Sequence, residues 1–499
     1  MSNFNQNIEQ FLDSLHINYD EEEVEGTIRP DVALILLNKW IAEKGDEINL
    51  LGNPVQNEEQ IKLNKTMLAR QFPLVWNEKD TYQNVYPNFP KEDYINYLSK
   101  INNSYLNLPI PNYNPRLSLY DLPNYQKNWI NISVQDFFEA IMERNSGRDY
   151  YGMTFKNLQK ILNHRLISFI VKNYNSILSG KFNLSQEWCS ANICPRFKGG
   201  DKKEPSRFRP LNILPLIVRI MDSIISKKLQ DLIIQHNVID SKVQKAIMKN
   251  SSGLWENVFG VNMKIKEMMD NHNDKLFFFI DLNNAFGSVN FRTMLLILQK
   301  YNFCPELSSY FERYYKNVFG IYQNEPFKWK NGLLQGSALS NVLFLLYIDY
   351  SLKNIFKDLK ALKLIDQEYD LQDNTFAFVD DIVMILPRND RVSKVLSLVG
   401  RILGYYGFTI NQDKTYFILE DQSIDSLEYN GIKYKKASPD FKYLGQSLFI
   451  FQNEVLRDIF QKVIKSLETI DSFNIPNNVK AYVYYINVFM RINRVIECF

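Results

Sequence analysis

Two adjacent aspartates stand in the middle of an apolar run and limit how this chain can fold. The run TFAFVDDIVMIL, residues 375–386, carries Asp380 and Asp381 between two short strand-forming segments. Because burial of an unpaired carboxylate costs several kcal/mol, a folded chain either exposes such a pair or provides a cation for it. Aspartate is also common in tight hairpin turns. The pair by itself is therefore compatible with a plain turn and with a metal site.

A third carboxylate in a similar position favours the metal site. Asp281 follows the apolar run KLFFFI, residues 275–280, which predicts a buried strand that ends at a negative charge. If the two strands are neighbours, the carboxylates at their ends converge. Mg²⁺ commonly takes one or two carboxylates together with substrate phosphates. Two such ions about 4 Å apart would activate a 3′-hydroxyl and stabilise a leaving pyrophosphate.

Length and composition set wider limits. A chain of 499 residues exceeds one small core, which favours two or three domains, and 45% hydrophobic residues are ordinary for a globular protein. No apolar run reaches the ~18–20 residues of a membrane span. Four cysteines and four histidines are too few and too scattered for a structural zinc site. The N-terminal sequence resembles neither a secretory signal nor a transit peptide.

The net charge of +2 hides one strongly basic segment. RFKGGDKKEPSRFR, residues 196–209, contains six basic and two acidic residues. Such a patch can attract phosphate groups, but it can also be a solvated loop. Charge alone leaves both interpretations open.

Hydrophobic periodicity predicts the main elements. A strand is expected at residues 275–282, and two more should flank the aspartate pair. Helices are expected at residues 133–145, 211–234, 338–356, 390–407, 454–470 and 477–495, with Gly407 as a helix-ending glycine. Residues 106–129 are rich in Pro, Asn and Tyr, which predicts a linker or an extended arm.

Six motifs occur in the order that is typical of one enzyme family. They are EWCSANICPRFKGGDKKEPSRFRPLNIL (187–214), FIDLNNAFGSVN (279–290), GLLQGSALSNVLFLLY (332–347), FAFVDD (376–381), GFTINQDKT (407–415) and FKYLG (441–445). The last five resemble the palm and early-thumb motifs of reverse transcriptases. The first resembles the fingers of the non-LTR (LINE-type) retrotransposon enzymes. The resemblance, from about residue 133 onwards, implies a reverse transcriptase domain that is standalone or truncated.

This resemblance implies roles for individual residues. Asp281, Asp380 and Asp381 would bind two Mg²⁺ ions, for which Mn²⁺ could substitute, with Asp381 as the weaker or indirect ligand. Lys414 would protonate or neutralise the leaving pyrophosphate, although a lysine in a turn can also be merely exposed. The nucleotide-binding residues would be Lys198, Arg209, Phe286, Gln335 and Gly336, and the nucleic-acid-binding residues Arg196, Lys202, Lys203 and Arg207. The planar guanidinium of arginine suits phosphate.

Phe286 bears on the choice between deoxynucleotides and ribonucleotides. It lies five residues after Asp281, where the family carries a bulky aromatic residue that would clash with a ribose 2′-hydroxyl. The alternative is an ordinary core phenylalanine. RNA-synthesising relatives tend to carry Gly-Asp-Asp, whereas Val379 precedes the aspartate pair here. Both features favour a DNA product.

The chain departs from the family pattern at four places. Phe378-Val379 replaces the common Tyr-Ala before the aspartates, and Gly287 replaces an aspartate after Ala-Phe. NSGRDYYGMT, residues 145–154, is only loosely similar to the family's Lys-Ala-Pro-Gly-x-Asp-Gly, and Asn341 replaces a proline. The expected ligand carboxylates are all present.

The expected fold is an α+β right-hand polymerase with fingers, a palm built on an antiparallel sheet, and a helical thumb. Residues 1–125 would be an N-terminal extension of unknown role, residues 126–435 fingers and palm, and residues 436–499 the thumb. The expected partners are an RNA template, a DNA or RNA primer and dNTPs, without a membrane. The expected location is intracellular, in the nucleus or cytoplasm, with an organelle-encoded origin left open.

The sequence indicates three functions that share one active-site pattern. The favoured one is RNA-directed DNA synthesis by two-metal-ion nucleotidyl transfer. Because no endonuclease pattern is recognisable, a separate nuclease or a ribonucleoprotein partner is expected. The first alternative is a catalytically silent reverse-transcriptase-like scaffold that binds RNA within a ribonucleoprotein. The second is a protein-primed or template-free DNA polymerase.

Overall fold

The computed structural model describes most of the first 448 residues of the chain. Within residues 2–448 the gaps are 20–23, 25, 51–86, 104–130, 143–146, 248–252, 273–274, 302, 367, 371, 389–390, 422, 430–431 and 440. The helices expected at 454–470 and 477–495, the whole linker at 106–129 and most of the predicted thumb lie outside the described residues.

A six-stranded sheet forms the centre of the molecule. Its strand order is β6-β7-β3-β8-β10-β9. The strands are β3 (Lys275–Ile280), β6 (Thr375–Phe378), β7 (Asp381–Pro387), β8 (Tyr416–Ile418), β9 (Ser426–Tyr429) and β10 (Ile432–Lys436). Neighbouring strands are antiparallel except for the parallel pair β8–β10. The sheet is therefore mixed, although antiparallel pairing dominates as expected.

A smaller sheet carries the basic segment. Its order is β2-β1-β4-β5, with β1 (Ser190–Phe197), β2 (Phe208–Ile213), β4 (Phe319–Tyr322) and β5 (Glu325–Lys328). β1 and β2 form an antiparallel pair in which Arg196 lies opposite Arg209. The loop between these strands contains Lys202 and Lys203.

Helices cover both sheets and make the chain α+β. They are α1 (Ser2–Ser14), α2 (Pro30–Glu43), α3 (Gly45–Leu50), α4 (Lys91–Asn103), α5 (Val134–Met142), α6 (Phe155–Ile161), α7 (His164–Ser179), α8 (Leu216–Gln235), α9 (Gly253–Asn271), α10 (Ala285–Ser288), α11 (Phe291–Lys300), α12 (Pro305–Lys316), α13 (Ala338–Ala361) and α14 (Val392–Tyr405). The 24-residue α13 is apolar on nearly all sides and buried, as its sequence predicts. Within the described residues, no helix combines the length and apolar composition of a membrane span.

The helix predicted at 211–234 is partly wrong. The first residues of this segment, through Ile213, belong to β2, and α8 starts only at Leu216. Apolar residues fit either structure here, but Pro215 favours a break and the pairing of β2 with β1 satisfies the backbone. The strand before Asp281, both strands around the aspartate pair, and Gly407 at positive φ after α14 are confirmed.

The N-terminal helices pack against the rest of the chain. Leu34 and Ile41 of α2 share one hydrophobic cluster with residues of α7, α8 and α13. Asn38 donates to the buried carboxylate of Asp149 at 2.8 Å and accepts from the amide of Ile217. Asp149 also accepts from the amides of Met153 and Leu216. Residues 147–154 of the divergent segment are therefore anchored through Asp149, while the domain boundaries stay predictions.

Candidate functional site

The three aspartates lie near one another at one end of the six-stranded sheet, where β3 and β6 end and β7 begins. β6 and β7 form a hairpin in which Phe378 pairs with Asp381, so Val379 and Asp380 make the turn. β7 also pairs with β3, and Ile382 lies opposite Ile280, the residue before Asp281. This register brings the end of β3 beside the hairpin turn. The turn and the carboxylate cluster are thus the same feature, and the two interpretations of the sequence do not compete.

The cluster holds more negative charge than its surroundings neutralise. Burial raises the pKa of Asp281, although Lys414 and a hydrogen bond from Asn411 oppose the rise. Burial and the charge of Asp281 raise the pKa of Asp380. Asp381, which retains solvent contact, has its pKa raised to about 6 by desolvation and by repulsion from the other two. A cation at this place would relieve the repulsion.

The donor chemistry of the cluster fits a divalent cation. Three carboxylates on adjoining strand ends provide the hard oxygen ligands that Mg²⁺ binds. In the part of the chain that the structure describes, no three acidic, cysteine or histidine side chains already surround a common point. Mg²⁺ does not need such a cage, because it typically takes one or two carboxylates with phosphates and water.

Lys414 is held beside the carboxylates by the loop between α14 and β8. The amide of Asn411 donates to the carbonyl of Asp281 at 2.8 Å, and the Asp281 amide donates to the hydroxyl of Thr415 at 3.2 Å. Lys414 lies between these two contacts, is exposed, and acts electrostatically on all three aspartates. The predicted lysine is thus brought to the site.

Basic residues of the smaller sheet face the same region. Residues opposite each other on paired strands share one face, so Arg196 and Arg209 project together. Lys198 follows the last residue of β1, and its amide donates to the Arg207 carbonyl at 2.8 Å. Burial and the charges of Arg209, Lys414 and Arg207 lower the pKa of Lys198. Arg209 also acts electrostatically on Asp380. Like charges placed this close destabilise a sheet unless an anion binds between them.

The other predicted nucleic-acid contacts are exposed on the loop between β1 and β2. Lys202 and Lys203 are solvent-exposed, and the Lys202 carbonyl accepts from Asn88 at 3.3 Å. Arg207 forms an ion pair with Glu204 at 3.1 Å. The structure leaves Lys202 and Lys203 accessible to a polyanion, whereas Arg207 already has an acidic neighbour.

Gln335 and Gly336 form a tight turn just before α13. The amide of Asn212 donates to the carbonyl of Gln335 at 2.6 Å. Gly336 has φ of +118°, and a Cβ there would lie 2.6 Å from the carbonyl oxygen of Asn212. Ser337 caps α13 and donates to the buried Asp222. The loop is therefore pinned to β2 and α8, and only glycine fits its centre.

Phe286 lies on α10, five residues after Asp281. Its ring stacks on Phe344 of α13, with centroids 4.4 Å apart and planes inclined by 12°. The ring is only half-buried, so one part packs into the core and another stays accessible. This position is compatible with Phe286 as a residue that selects the sugar and with Phe286 as an ordinary core residue.

Gly287, one of the departures from the family pattern, packs against the loop that precedes α13. A Cβ on Gly332 would lie 2.8 Å from the Cα of Gly287, and the Gly332 amide donates to the Val289 carbonyl. A Cβ on Gly287 would itself meet the Asn284 side chain at 2.2 Å. Gly332 thus allows the loop of residues 331–335 to lie directly on α10, and an aspartate at 287 would require the Asn284 side chain to move.

An open cleft of about 290 Å³ lies beside the carboxylates. Asp281, Asp381 and Lys414 line it, together with Lys442 and Tyr443 of the FKYLG turn. Tyr443 and Phe441 both pack edge-on against Phe279 of β3. The FKYLG motif is therefore docked next to the site, and its lysine adds a further cation.

Several residues that shape the site were not singled out from the sequence. Asn411 and Thr415 hold Asp281, Asn212 holds the loop of Gln335, and Gln244 contacts the turn of the aspartate hairpin. The first three fall inside or beside quoted motifs, so their proximity to predicted site residues was a usable signal. Gln244 lies in none of the six motifs.

Comparison with known proteins places the site in a family context. Residues 201–448, just under half of the chain, match the reverse transcriptase (RNA-dependent DNA polymerase) family. The chain is also similar to the retrovirus-related Pol polyprotein from the type-2 retrotransposable element R2DM of Drosophila melanogaster, with 22% identity over 263 residues. That similarity covers 49% of this chain and 24% of the relative, so the chain spans about a quarter of the relative's length.

Proposed function

The chain carries a reverse transcriptase domain of the non-LTR (LINE-type) retrotransposon kind, and on this premise we propose that it is an RNA-directed DNA polymerase. The observation that carries the proposal is the convergence of Asp281, Asp380 and Asp381 opposite the basic face of β1 and β2. A carboxylate cluster that needs cations and a basic face that needs an anion suit a nucleoside triphosphate complexed with Mg²⁺.

Each group would act on a defined part of the reaction. Asp281 and Asp380 would hold two divalent cations, with Asp381 as an indirect ligand. When bound, the cations activate the primer 3′-hydroxyl and neutralise the leaving pyrophosphate. Lys198 and Arg209 would grip the triphosphate, and Lys414 would donate a proton or a positive charge to the pyrophosphate.

The two sheets and the basic loop would correspond to the subdomains and nucleic-acid contacts of a polymerase. The six-stranded sheet would be the palm, and the smaller sheet with its loop would be the fingers. Gln335 and Gly336 would contact the nucleotide and the template at the start of α13. Lys202 and Lys203 would bind nucleic-acid phosphates, so binding should weaken with added salt. A separate nuclease or a ribonucleoprotein would supply whatever steps this chain does not perform.

Primer extension tests the proposal directly. The purified protein should extend a DNA primer on an RNA template with dNTPs and Mg²⁺, and the double variant Asp380→Asn/Asp381→Asn should not. Product formed without a primer or a template would favour the protein-primed or template-free alternative. If neither protein extends, but Lys202→Glu/Lys203→Glu weakens RNA binding, the scaffold alternative replaces the polymerase.

Phe286 should control which sugar is accepted. Phe286→Ala is expected to raise the use of rNTPs relative to dNTPs by about tenfold or more, since it removes bulk that would oppose a 2′-hydroxyl. The measurement is the ratio of kcat/KM for the two nucleotides, which is insensitive to the fraction of active enzyme. Phe286→Tyr is the matched control and should keep the wild-type ratio. An unchanged ratio in Phe286→Ala would leave Phe286 as a core residue that only packs on Phe344.

A further inference from the structure

The turn that carries Asp380 has an unusual backbone. Val379, the residue before Asp380, has φ of +58°. This left-handed region is unfavourable for every L-residue and most unfavourable for β-branched ones. Such a conformation persists only where the surroundings hold it in place.

One buried side chain occupies both polar groups of Val379. The Val379 amide donates to Oε1 of Gln244 at 2.9 Å, and Nε2 of Gln244 donates to the Val379 carbonyl at 3.1 Å. That carbonyl belongs to the peptide bond that leads into Asp380. Gln244 has no solvent exposure, so loss of these bonds would leave its own buried amide unpaired.

The loop that presents Gln244 is fixed to α13. The Gln244 amide donates to the Asp240 carbonyl at 2.8 Å, and the Asp240 amide donates to the buried carboxylate of Asp349 at 3.1 Å. Lys353, one turn further along α13, donates to the Val238 carbonyl at 2.6 Å. The support of the turn therefore extends to the longest buried helix of the described chain.

β6, the first strand of the hairpin, is held by the loop that contains Gln244 and by α9. The Ala377 amide donates to the carbonyl of Val243 at 2.8 Å, and Asn257 of α9 donates to the Ala377 carbonyl at 2.9 Å. These contacts fix where β6 lies. They do not reach the turn. A two-residue hairpin turn needs a positive φ at its first central residue, and Gln244 makes the side-chain hydrogen bonds that hold valine in this conformation.

We propose that Gln244 is a positioning residue for the carboxylate site. By holding Val379 in its left-handed conformation, the Gln244 amide fixes the direction in which Asp380 leaves the hairpin. The expected effect of Gln244 on catalysis rests on the proposed polymerase function. The expected effect of Gln244 on the conformation of the turn does not. Neither an apolar side chain nor a shorter amide at position 244 would make both bonds.

The test compares Gln244→Met with a buried-amide variant elsewhere. Gln244→Met should lower kcat for primer extension by at least about tenfold and change KM for dNTP less than threefold, because misplacement by about 1 Å impairs chemistry more than binding. Asn173→Leu removes a buried amide of α7 that donates to Phe169. It should affect thermal stability similarly and leave kcat within threefold of the wild type.

A second readout does not depend on activity. Hydrogen–deuterium exchange of the peptide spanning residues 375–386 should speed up at least tenfold in Gln244→Met and stay unchanged in Asn173→Leu. If Gln244→Met does not fold, Gln244→Glu, which keeps the shape and the acceptor, should show the same direction of change. Unchanged exchange in the folded variant overturns the proposal. Faster exchange in Gln244→Met, with no primer extension even by the wild type, would confirm that Gln244 stabilises the turn. It would reject only the polymerase function.

A rescue variant separates positioning from general loss of stability. Asparagine adopts positive φ more readily than valine, so Val379→Asn should restore much of the kcat lost in Gln244→Met. Absence of any restoration, together with equal loss of kcat in Asn173→Leu, would show that Gln244 contributes only to stability.

Discussion

Replacing Asp380 by asparagine should abolish DNA synthesis and make the metal-free protein more stable. Asparagine keeps the size of the side chain and removes one of the charges that repel each other at the hairpin. Loss of a metal ligand should lower the rate about 1,000-fold or more, because bound cations contribute several kcal/mol to transition-state stabilisation. Removal of the repulsion should raise the Tm measured in EDTA by about 1–3 °C.

The pH dependence of stability checks the same charges. The pKa of each aspartate is raised in the folded protein, so folding favours the protonated forms. Ionisation of these aspartates therefore destabilises the folded protein. This destabilisation is absent at pH values below the ordinary carboxyl pKa and complete above the folded pKa, which is about 6 for Asp381. In EDTA, the Tm of the wild type should therefore fall more between pH 5 and pH 7.5 than that of Asp380→Asn. Mg²⁺ at pH 7.5 should raise the Tm of the wild type only.

A matched control separates this effect from simple loss of one charge. Asp373 is exposed in the turn before β6, and Asp373→Asn should leave both the rate and the response to EDTA as in the wild type. Activity of Asp380→Asn within tenfold of the wild type would remove Asp380 from the catalytic site. A Tm in EDTA at or below the wild-type value would show that the three carboxylates do not repel one another as the fold implies.

The local patterns of the sequence predicted the parts of the fold that depend on local physics. The run before Asp281 is short and rich in phenylalanine, which favours a strand, whereas the apolar run of α13 is too long for a strand. The segment that starts at Leu211 was ambiguous, because its apolar spacing fits a strand or a helix. Pairing with β1 makes this segment a strand, and β1 is a separate segment of the chain, so the local sequence could not show the pairing.

The site was predictable as a set of residues and not as a geometry. Order and spacing of the motifs pointed to Asp281, Asp380 and Lys414, but the register of β3 with β7 is a long-range pairing that no single segment encodes. The left-handed Val379 contradicts the preference of valine, so sequence rules would place another residue there. Its support by Gln244 bridges 135 positions along the chain. Functional sites are where such local rules fail.

The N-terminal region shows a further limit of sequence reasoning. Its helix α4 was assigned no role, yet Asn102 donates to the Lys328 carbonyl and accepts from the amides of Lys330 and Asn331. These residues lead directly into the loop of Gln335. The composition of α4 is that of an ordinary surface helix, so nothing local distinguishes a helix that supports the site from one that does not.

The second large effect is expected from a single methyl group at Gly336. A Cβ there would lie 2.6 Å from the Asn212 carbonyl oxygen, at a φ of +118° that alanine does not tolerate. Relief of this clash would shift the loop of Gln335 by about 1 Å, which should lower kcat/KM for dNTP about 100-fold. The fold should survive, with a stability loss of about 1–3 kcal/mol, because the rest of the loop is anchored through Ser337 and Asp222.

Gly404 provides the control for Gly336→Ala. It lies within α14, has no positive φ, and has no atom within 4 Å of an added Cβ. Gly404→Ala should therefore raise the free energy of unfolding by about 0.4–1 kcal/mol and leave kcat/KM unchanged. Steady-state primer extension and chemical denaturation of both variants make the comparison. Equal activity of the two variants would mean that the turn at Gln335 and Gly336 does not contact the reacting nucleotide, and the nucleotide would then have to bind against the basic face of β1 and β2 alone.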